Sequence, residues 1–463
     1  MPPSNDTSFT VIIAGAGLAG LSLAVLLERA NINYQLFERA SQIRPLGTAL
    51  SIGPSVMPMI EQLGLLEEFK ALAKENDVVS NFNEDMQLTS TIVYTEFPER
   101  TGYPNYCIAR PRLYDLLYSQ IPSEKVHMGK RLESLTQDDD INGVHITFTD
   151  KTTIQGSILV GADGAYSAVR KNIYAQLDEK GMLPASDKEE LPCGSICLVG
   201  QTRSGLSVEK FPYLNEKPCR FDIVTGKDKP YTWLTFSMPD NSICWTVIEH
   251  LYLETNRTKI ATNNAEWGSG SIEAMIRRAK DFPIPNGGTN SSPTLTLADL
   301  INETPKELIS QVALEGKFFE TWHSGRTVLI GDACHKLYPS AAQGANAAIQ
   351  DAIVLGNHLY AIRDNATSET ITHAFEQYRQ ERFAPARQAY DTSERFRQLF
   401  RKRWINGIIR SMIRYIPQMV WNRIFDKVYS NRPQVAFLPL VEDRGTVKAF
   451  SQKSLHLFKG IEE

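Results

Sequence analysis

A chain of 463 residues, 42% hydrophobic and 22% charged, is long enough for a large core and points to two intimately packed domains. The formal charge of -4 carries no signature of nucleic-acid binding, and no window of about 20 uncharged apolar residues is present to span a membrane. The cysteines, Cys107, Cys193, Cys197, Cys219, Cys244 and Cys334, lack the paired spacing of a structural zinc site, so reduced thiols, no metal and a cytoplasmic location are expected.

The polar start, Met1 to Thr10, does not read as a signal peptide. Phe9–Ala14 predicts a strand, Leu18–Ala30 has helical apolar spacing, and Asn33–Phe37 predicts a second strand, which together make a βαβ unit. Val144–Thr149 and Ile154–Val160 predict a hairpin leading into the Gly161–Gly164 turn. Between residues 185 and 300 short alternating runs such as Tyr231–Ser237 and Ile243–Glu249 predict a mostly antiparallel sheet, with Pro285–Pro293 as a loop. Thr327–Ile330 and Ala345–Tyr360 predict a strand and a helix that resume the first architecture. Glu376, Arg379, Glu381 and Arg382 read as a solvated helix face. From Phe396 onward Phe400, Trp404, Ile408, Met412, Ile416, Val420 and Ile424 form an apolar stripe, interrupted at Pro417. Arg395, Arg397, Arg401, Lys402, Arg403, Arg410, Arg414, Arg423 and Lys427 lie between them. Such a basic amphipathic segment either packs on the first domain or makes a peripheral contact with an anionic membrane surface.

Gly15-Ala16-Gly17-Leu18-Ala19-Gly20 follows the first strand and opens the first helix, the order needed to turn tightly, admit a pyrophosphate and pack helix on strand. Glu38, followed by Arg39, ends the second strand 23 residues after Gly15, where a carboxylate accepts hydrogen bonds from a ribose with a free 2'-hydroxyl. The ligand is therefore FAD or NAD. Leu159–Arg170 and Leu329–Ser340 each present Asp beside Gly at a strand end.

With these three motifs in this order the chain resembles the class A flavoprotein monooxygenases, the para-hydroxybenzoate hydroxylase fold. Asp163, Gly164, Ser167 and Arg170 match one family motif, and Gly331, Asp332, Ala333, His335 and Pro339 match another that continues through Gln343, Gly344, Asn346 and Asp351. Glu320–Arg326, His335-Lys336, Asn346–Ile349, Pro433-Gln434, Phe437–Pro439 and Asp443–Gly445 are similar to the fungal monooxygenases and epoxidases of indole-diterpene and meroterpenoid biosynthesis. The chain departs from the family at Ala341 and Ala342, where glycines are usual, and at Tyr338.

The resemblance implies an α/β fold: a discontinuous Rossmann-like FAD-binding domain over residues 1–184 and 301–385, with some substrate-domain strands near 75–110. An inserted, mostly antiparallel β-sheet substrate domain would cover 185–300, and a C-terminal helical region 386–463. It also implies that Asp332 binds the ribityl chain, that Arg110 reaches the phosphates or ribityl, that Gly53 lines the isoalloxazine, and that the Ala345 amide faces its pyrimidine end. Gly15, Gly17, Gly20, Glu38, Arg39, Asp163, Pro339, Gly344 and Asn346 complete the implied cofactor set. A helix starting near Gly344 would aim free N–H groups at the ring edge where negative charge collects on reduction. Tyr213 is the candidate catalytic side chain, orienting substrate or protonating a leaving oxygen. Asp163 with Arg170 reads alternatively as a buried ion pair, and His335 beside Asp332 as an acid–base pair or a turn-ordering residue.

The implied reaction is reduction of FAD by a transient NAD(P)H, addition of O2 at flavin C4a, and transfer of one oxygen from the resulting hydroperoxide to a hydrophobic, prenylated or terpenoid small molecule. The alternatives are an aromatic-ring hydroxylase of the salicylate or hydroxybenzoate type, a halogenase or reductase on the same fold, and a cofactor-free binding protein resembling the prenyl-protein escorts.

Overall fold

The computed structural model describes residues 9–42, 47–138, 143–227, 229–251, 269–285, 295–399 and 415–457. Thr10–Ala14 runs parallel between Asn33–Phe37 and Ile158–Gly161. Thr327–Leu329 adds beyond Ile158–Gly161 and Val126–His127 beyond Asn33–Phe37, both parallel, and His323–Ser324 closes one edge antiparallel. Val11, Ile13, Leu159, Val160, Val328 and Leu329 are fully buried, as expected of parallel strands covered on both faces. The Leu18–Arg29 helix packs along the Gly344–Ile362 helix, so the first and third parts of the chain share one core.

The expected strand Ile154–Val160 is two strands. Thr153–Gly156 pairs antiparallel with Gly143–Phe148, whereas Ile158–Gly161 enters the parallel sheet. Ser157 makes the break: its N–H donates to the Thr10 carbonyl and its hydroxyl accepts from the Thr10 N–H at 3.0 Å.

The second sheet has seven strands in the order Ser310–Glu315, Cys193–Gln201, Ile243–His250, Tyr231–Ser237, Phe221–Thr225, Val78–Asn83 and Leu88–Val93. Its pairs are antiparallel apart from Phe221–Thr225 with Val78–Asn83. Two of its strands thus come from before residue 100, and one from beyond residue 300. Alternation divides its side chains between two faces. Trp233, Trp245 and Val247 join Phe211, Tyr213, Phe282 and Leu297 in a core on the outer face. Phe236 and Cys244 face the other way, onto Ala49, Cys107 and Ala109 of the first unit. A hydrogen bond of 3.0 Å from the Thr246 hydroxyl to that of Thr48 ties this inner face down.

Arg382 departs from the sequence reading. It lies inside, 1% exposed, with its Nε 2.8 Å from Asp351, which is itself fully buried. The reason is helical spacing, because Arg382 continues the buried stripe Ile371, Phe375, Tyr378 and Ala386 on the Ser368–Leu399 helix. Glu376 is exposed, and Arg379 and Glu381 are half-buried.

The apolar stripe from Phe400 to Met412 and the basic residues Arg401 to Arg414 lie outside the described residues, as do most of Pro285–Pro293. The Gln418–Tyr429 helix buries Trp421 and Tyr429 and is pinned by Asp426, which accepts from Arg100 at 3.0 and 2.5 Å. Met419, Val420 and Ile424 are exposed on its other side. Among the described residues no helix is long and apolar enough to cross a membrane.

Burial pushes the Asp351 carboxyl up, but His335 and Arg382 outweigh it and hold it below the ordinary carboxylate range. A carboxylate whose folded value is depressed stabilises the fold above its unfolded value and loses that contribution as pH falls through the folded one. Arg382→Ala should therefore cost about 3–5 kcal/mol at neutral pH in urea unfolding, because it strands a buried charge. The gap to the wild type should narrow below about pH 4. An equally stable variant would show that Arg382 does not balance Asp351.

Candidate active site

Four adjacent parallel strands end at the four motif positions. In spatial order Thr327–Leu329 leads to Asp332, Ile158–Gly161 to Asp163, Thr10–Ala14 to Gly15, and Asn33–Phe37 to Glu38. The chain leaves Thr10–Ala14 toward one side and returns on the other, so these ends border the crevice where open α/β sheets take ligands.

At its centre Gly15 has φ +104°, and a side chain there would collide with the backbone at Ala162 and Asp163, which fixes the two turns against each other. A side chain on Gly20 would overlap the Gly15 carbonyl, whereas one on Gly17 would meet nothing within 4 Å. Glu38 is positioned by two N–H donors, Ala16 to Oε2 and Ala40 to Oε1, each at 2.9 Å. Arg39 beside it is exposed. Asp163 Oδ2 accepts from the Ala168 and Val169 N–H groups at 2.6 and 3.2 Å, while its buried Oδ1 has no protein partner. Arg170 does not pair with Asp163; its guanidinium donates to the carbonyls of Ala333 and Ala165 at 2.8 and 2.6 Å and lies over the Phe319 ring.

Asp332 and His335 do not form a pair. Asp332 accepts from Lys336 Nζ at 2.6 Å, and His335 Nε2 meets Asp351 Oδ2 at 2.5 Å. Asp351 Oδ2 also receives the Gly331 N–H at 2.9 Å, so one carboxylate holds the turn that presents Asp332. Cys334, His335 and Asp351 are close enough together for a metal ion, but the Arg382 guanidinium on the same carboxylate opposes a second cation.

Arg110 is accessible to solvent, yet burial draws its guanidinium down, with Asp332 and Tyr114 opposing. Asp332 among its electrostatic neighbours places it on that side of the crevice. Burial likewise pulls Lys336 down, but Asp332 and Glu315 more than compensate and keep its ammonium above the ordinary range.

The Gly344–Ile362 helix begins at the same cleft. A Cβ at Gly344 would meet no protein atom within 4 Å, and no side chain caps the helix, so its first N–H groups lack an intrahelical or capping partner. Ala345 is half-buried on this first turn. Asn346 is 1% exposed, and its amide is spent within the protein. Its Oδ1 accepts from the Gly53 N–H at 3.0 Å, and its Nδ2 donates to the carbonyls of Ser51 and Ala342 at 3.0 and 3.1 Å. Gly53 is packed under the Tyr429 ring, whose hydroxyl accepts from Gln343 at 3.2 Å. Pro339 is exposed at the start of a short helical turn. That turn ends at Ala342, where an alanine holds the left-handed conformation, φ +51°. Tyr338 packs away from the cleft against Gly316, beneath the Arg397 guanidinium.

Tyr213 is 3% exposed in the outer-face core, its hydroxyl without a partner and its ring under Arg220. The sheet separates it from the strand ends that carry Gly15, Asp163 and Asp332. Lys336 and Tyr429 stand at the cleft with no role drawn from sequence. Lys336 is spaced i,i+4 from Asp332, a signal available in the chain; Tyr429 has no local signal.

These groups fit a dinucleotide. The cradle at Gly17 and Gly344 is free of side chains, the Asp163 Oδ1 and Glu38 offer acceptors, and Arg110 and Lys336 supply positive charge.

A family model described as FAD binding domain matches residues 8–187 and 291–393. The FAD-dependent monooxygenase nvfK of Aspergillus novofumigatus is 30% identical over 77% of this chain and 72% of that protein. The FAD-dependent monooxygenase paxM of Penicillium paxilli is 29% identical over 88% of this chain and 81% of its own. Among solved structures, Klebsiella pneumoniae HpxO complexed with FAD and uric acid superposes with a TM-score of 0.69 at 19% identity, over 91% of this chain and 96% of that one.

Two outcomes test the geometry. Asp332→Ala and Glu38→Ala should each bind FAD about ten- to hundredfold more weakly, measured as released-FAD absorbance after dialysis, since each removes a carboxyl acceptor. Full occupancy in both would remove them from the cofactor site. Ala342→Gly should raise stability by about 0.5–1 kcal/mol, because glycine adopts the left-handed conformation without the alanine penalty. A lowered melting temperature would contradict the strain.

Proposed function

The chain belongs to the FAD-binding domain family, and from that premise we propose that it epoxidises or hydroxylates a hydrophobic, prenylated or terpenoid small molecule. It is an FAD-dependent monooxygenase of the class A type, taking NAD(P)H, O2 and a small-molecule substrate. What supports the finer reading is the likeness to the fungal FAD-dependent monooxygenases beside the division of character in the fold. Charge gathers at the strand ends, with Asp332, Lys336 and Arg110, and the inner face of the seven-stranded sheet is apolar, with Phe221, Leu234, Phe236 and Met238 packed about Ala49, Cys107 and Ala109.

Bound FAD supplies acceptance of two electrons from NAD(P)H and activation of O2. In this reading Glu38 accepts from the adenosine ribose, Arg110 neutralises phosphate charge, and Asp332, held by Lys336, accepts from the ribityl chain. The uncapped N-terminus at Gly344 and Ala345 stabilises negative charge on the reduced ring. The apolar sheet face excludes water and holds the substrate by burial, at about 25 cal/mol per Å2 of apolar surface. Affinity should follow apolar area.

The test is substrate-stimulated NAD(P)H oxidation across prenylated aromatics, polyprenyl terpenoids and hydroxybenzoates, with products identified by mass spectrometry. Stimulation and oxygenation by the first two classes is expected. Turnover of hydroxybenzoates alone would replace the terpenoid reading with the aromatic hydroxylase. A companion variant, Gly344→Ala, should fold normally, since its Cβ meets no protein atom within 4 Å, yet slow flavin reduction. Unchanged reduction in stopped flow would move the helix start away from the ring.

A separate proposal, peripheral contact with anionic membranes, rests on Met419, Val420 and Ile424 exposed beside Arg423 and Lys427. Co-sedimentation with phosphatidylserine vesicles, and its loss in Val420→Glu, tests it.

A further inference from the structure

The seven-stranded sheet ends at Leu88–Val93, which pairs within the sheet only with Val78–Asn83 and so leaves one side of its backbone outside the ladder. Between that side and the Gln418–Tyr429 helix lies a cavity of about 300 Å3. Five of the six strand residues line it, facing Ile416, Gln418 and Trp421, so it is a slot running along the edge. The strand ends that carry Gly15, Asp163 and Asp332 belong to the other sheet.

Each wall of the slot offers one donor and one acceptor. Trp421 is 6% exposed, yet among the described residues its indole N–H has no hydrogen-bond partner and is not sealed from the cavity that the ring lines. Gln418 spends its amide N–H groups on the Val93 carbonyl at 3.1 Å and Asn422 Oδ1 at 2.9 Å, which leaves its Oε1 to accept. On the strand, the Tyr94 N–H points inward to the Asp77 carbonyl while the Val93 carbonyl points outward to Gln418, so by alternation Thr91 turns its N–H and C=O outward into the slot. The β-bulge of this edge lies at the other end, where the Thr89 hydroxyl donates to the Asn81 carbonyl. Among the described residues no charged side chain lines the slot, and the strand has no lysine or proline of the kind that guards an edge.

Two neutral donor–acceptor pairs on opposite walls match an extended peptide backbone, whose successive residues present N–H and C=O to opposite sides. We propose that the slot binds an extended, uncharged peptide segment of a partner protein, which joins the sheet as an eighth strand. One residue of that segment pairs with Thr91, and its neighbour gives its carbonyl to the Trp421 N–H and its N–H to Gln418 Oε1. The helix, held against the edge by the bond from Gln418 to Val93, leaves room for one chain and would obstruct the sheet edge of a second copy.

The experiment titrates the full FAD-loaded chain into a rhodamine-labelled, C-amidated Val-Thr-Val-Thr-Val peptide and reads fluorescence anisotropy. The wild type should bind saturably, and the same peptide N-methylated on every residue should not bind. Trp421→Phe should weaken binding about two- to tenfold, the loss of one hydrogen bond. Thr91→Pro should abolish it, because the ring removes the outward N–H and enters the slot while the ladder to Val78–Asn83 uses no N–H of Thr91. Both variants should keep the FAD content and NAD(P)H oxidation of the wild type. No saturable binding by the wild type up to on the order of 1 mM protein overturns the proposal. Equal binding by the wild type and both variants removes the peptide from the slot, and equal binding of the N-methylated peptide removes backbone recognition. A concentration-dependent dimer in sedimentation velocity that Thr91→Pro abolishes would assign the edge to a second copy and overturn the partner reading.

Discussion

One fully buried carboxylate, Asp351, organises the half of the molecule that carries the redox chemistry. It stands on the Gly344–Ile362 helix and receives the Gly331 N–H, His335 and Arg382, so it joins the turn before Asp332, the helix that starts at the cleft and the long helix behind them. An isolated carboxylate in such surroundings would be strongly disfavoured; charge pairing and hydrogen bonds to both oxygens make it a rigid corner instead. The position of Asp332 relative to the helix start is set from this corner rather than by either element alone.

With that corner in place, the parallel sheet sets the remaining distances. Neighbouring strands lie about 4.8 Å apart, so motifs on four consecutive strands form a row of a length suited to an extended dinucleotide. The seven-stranded sheet then brings a face of opposite character against the end of the row. Thr246 bonded to Thr48 and the shared cluster around Cys107 and Phe236 hold the apolar face against the polar one. Charge and apolar surface stay apart because different sheets carry them.

Much of this was legible in the chain. The Gly15 turn, the Glu38 position and the strand-end aspartates are local chemistry, and the parallel strands that present them read as short apolar runs. The Ser157 break was hidden because Ile154–Val160, despite Gln155 and Ser157, is short enough for a single strand, and the fork depends on pairing with Thr10, distant in sequence. Arg382 was misread because its charge was given more weight than its place in the stripe of Ile371, Phe375, Tyr378 and Ala386. Tyr429 over Gly53 carried no signal at all, being a contact between residues near opposite ends of the chain with no pattern around either. Tyr213 shows the complementary limit, since a position in sequence does not say which face of a sheet a side chain joins.

The Tyr429 contact has a consequence for how the protein is made. Translation delivers the N-terminal strands first, but the wall beside Gly53 and Gln343 arrives with residue 429, and the Asp351–Arg382 corner only after residue 382. Native contacts of such sequence separation form slowly, because loop closure precedes the burial that rewards it. A nascent chain can therefore shape the phosphate turn early, yet it cannot cover Gly53 until residue 429 has left the ribosome. Closure of that wall is thereby placed after synthesis of residue 429, and chains ending before it should leave the backbone at Gly53 open to water.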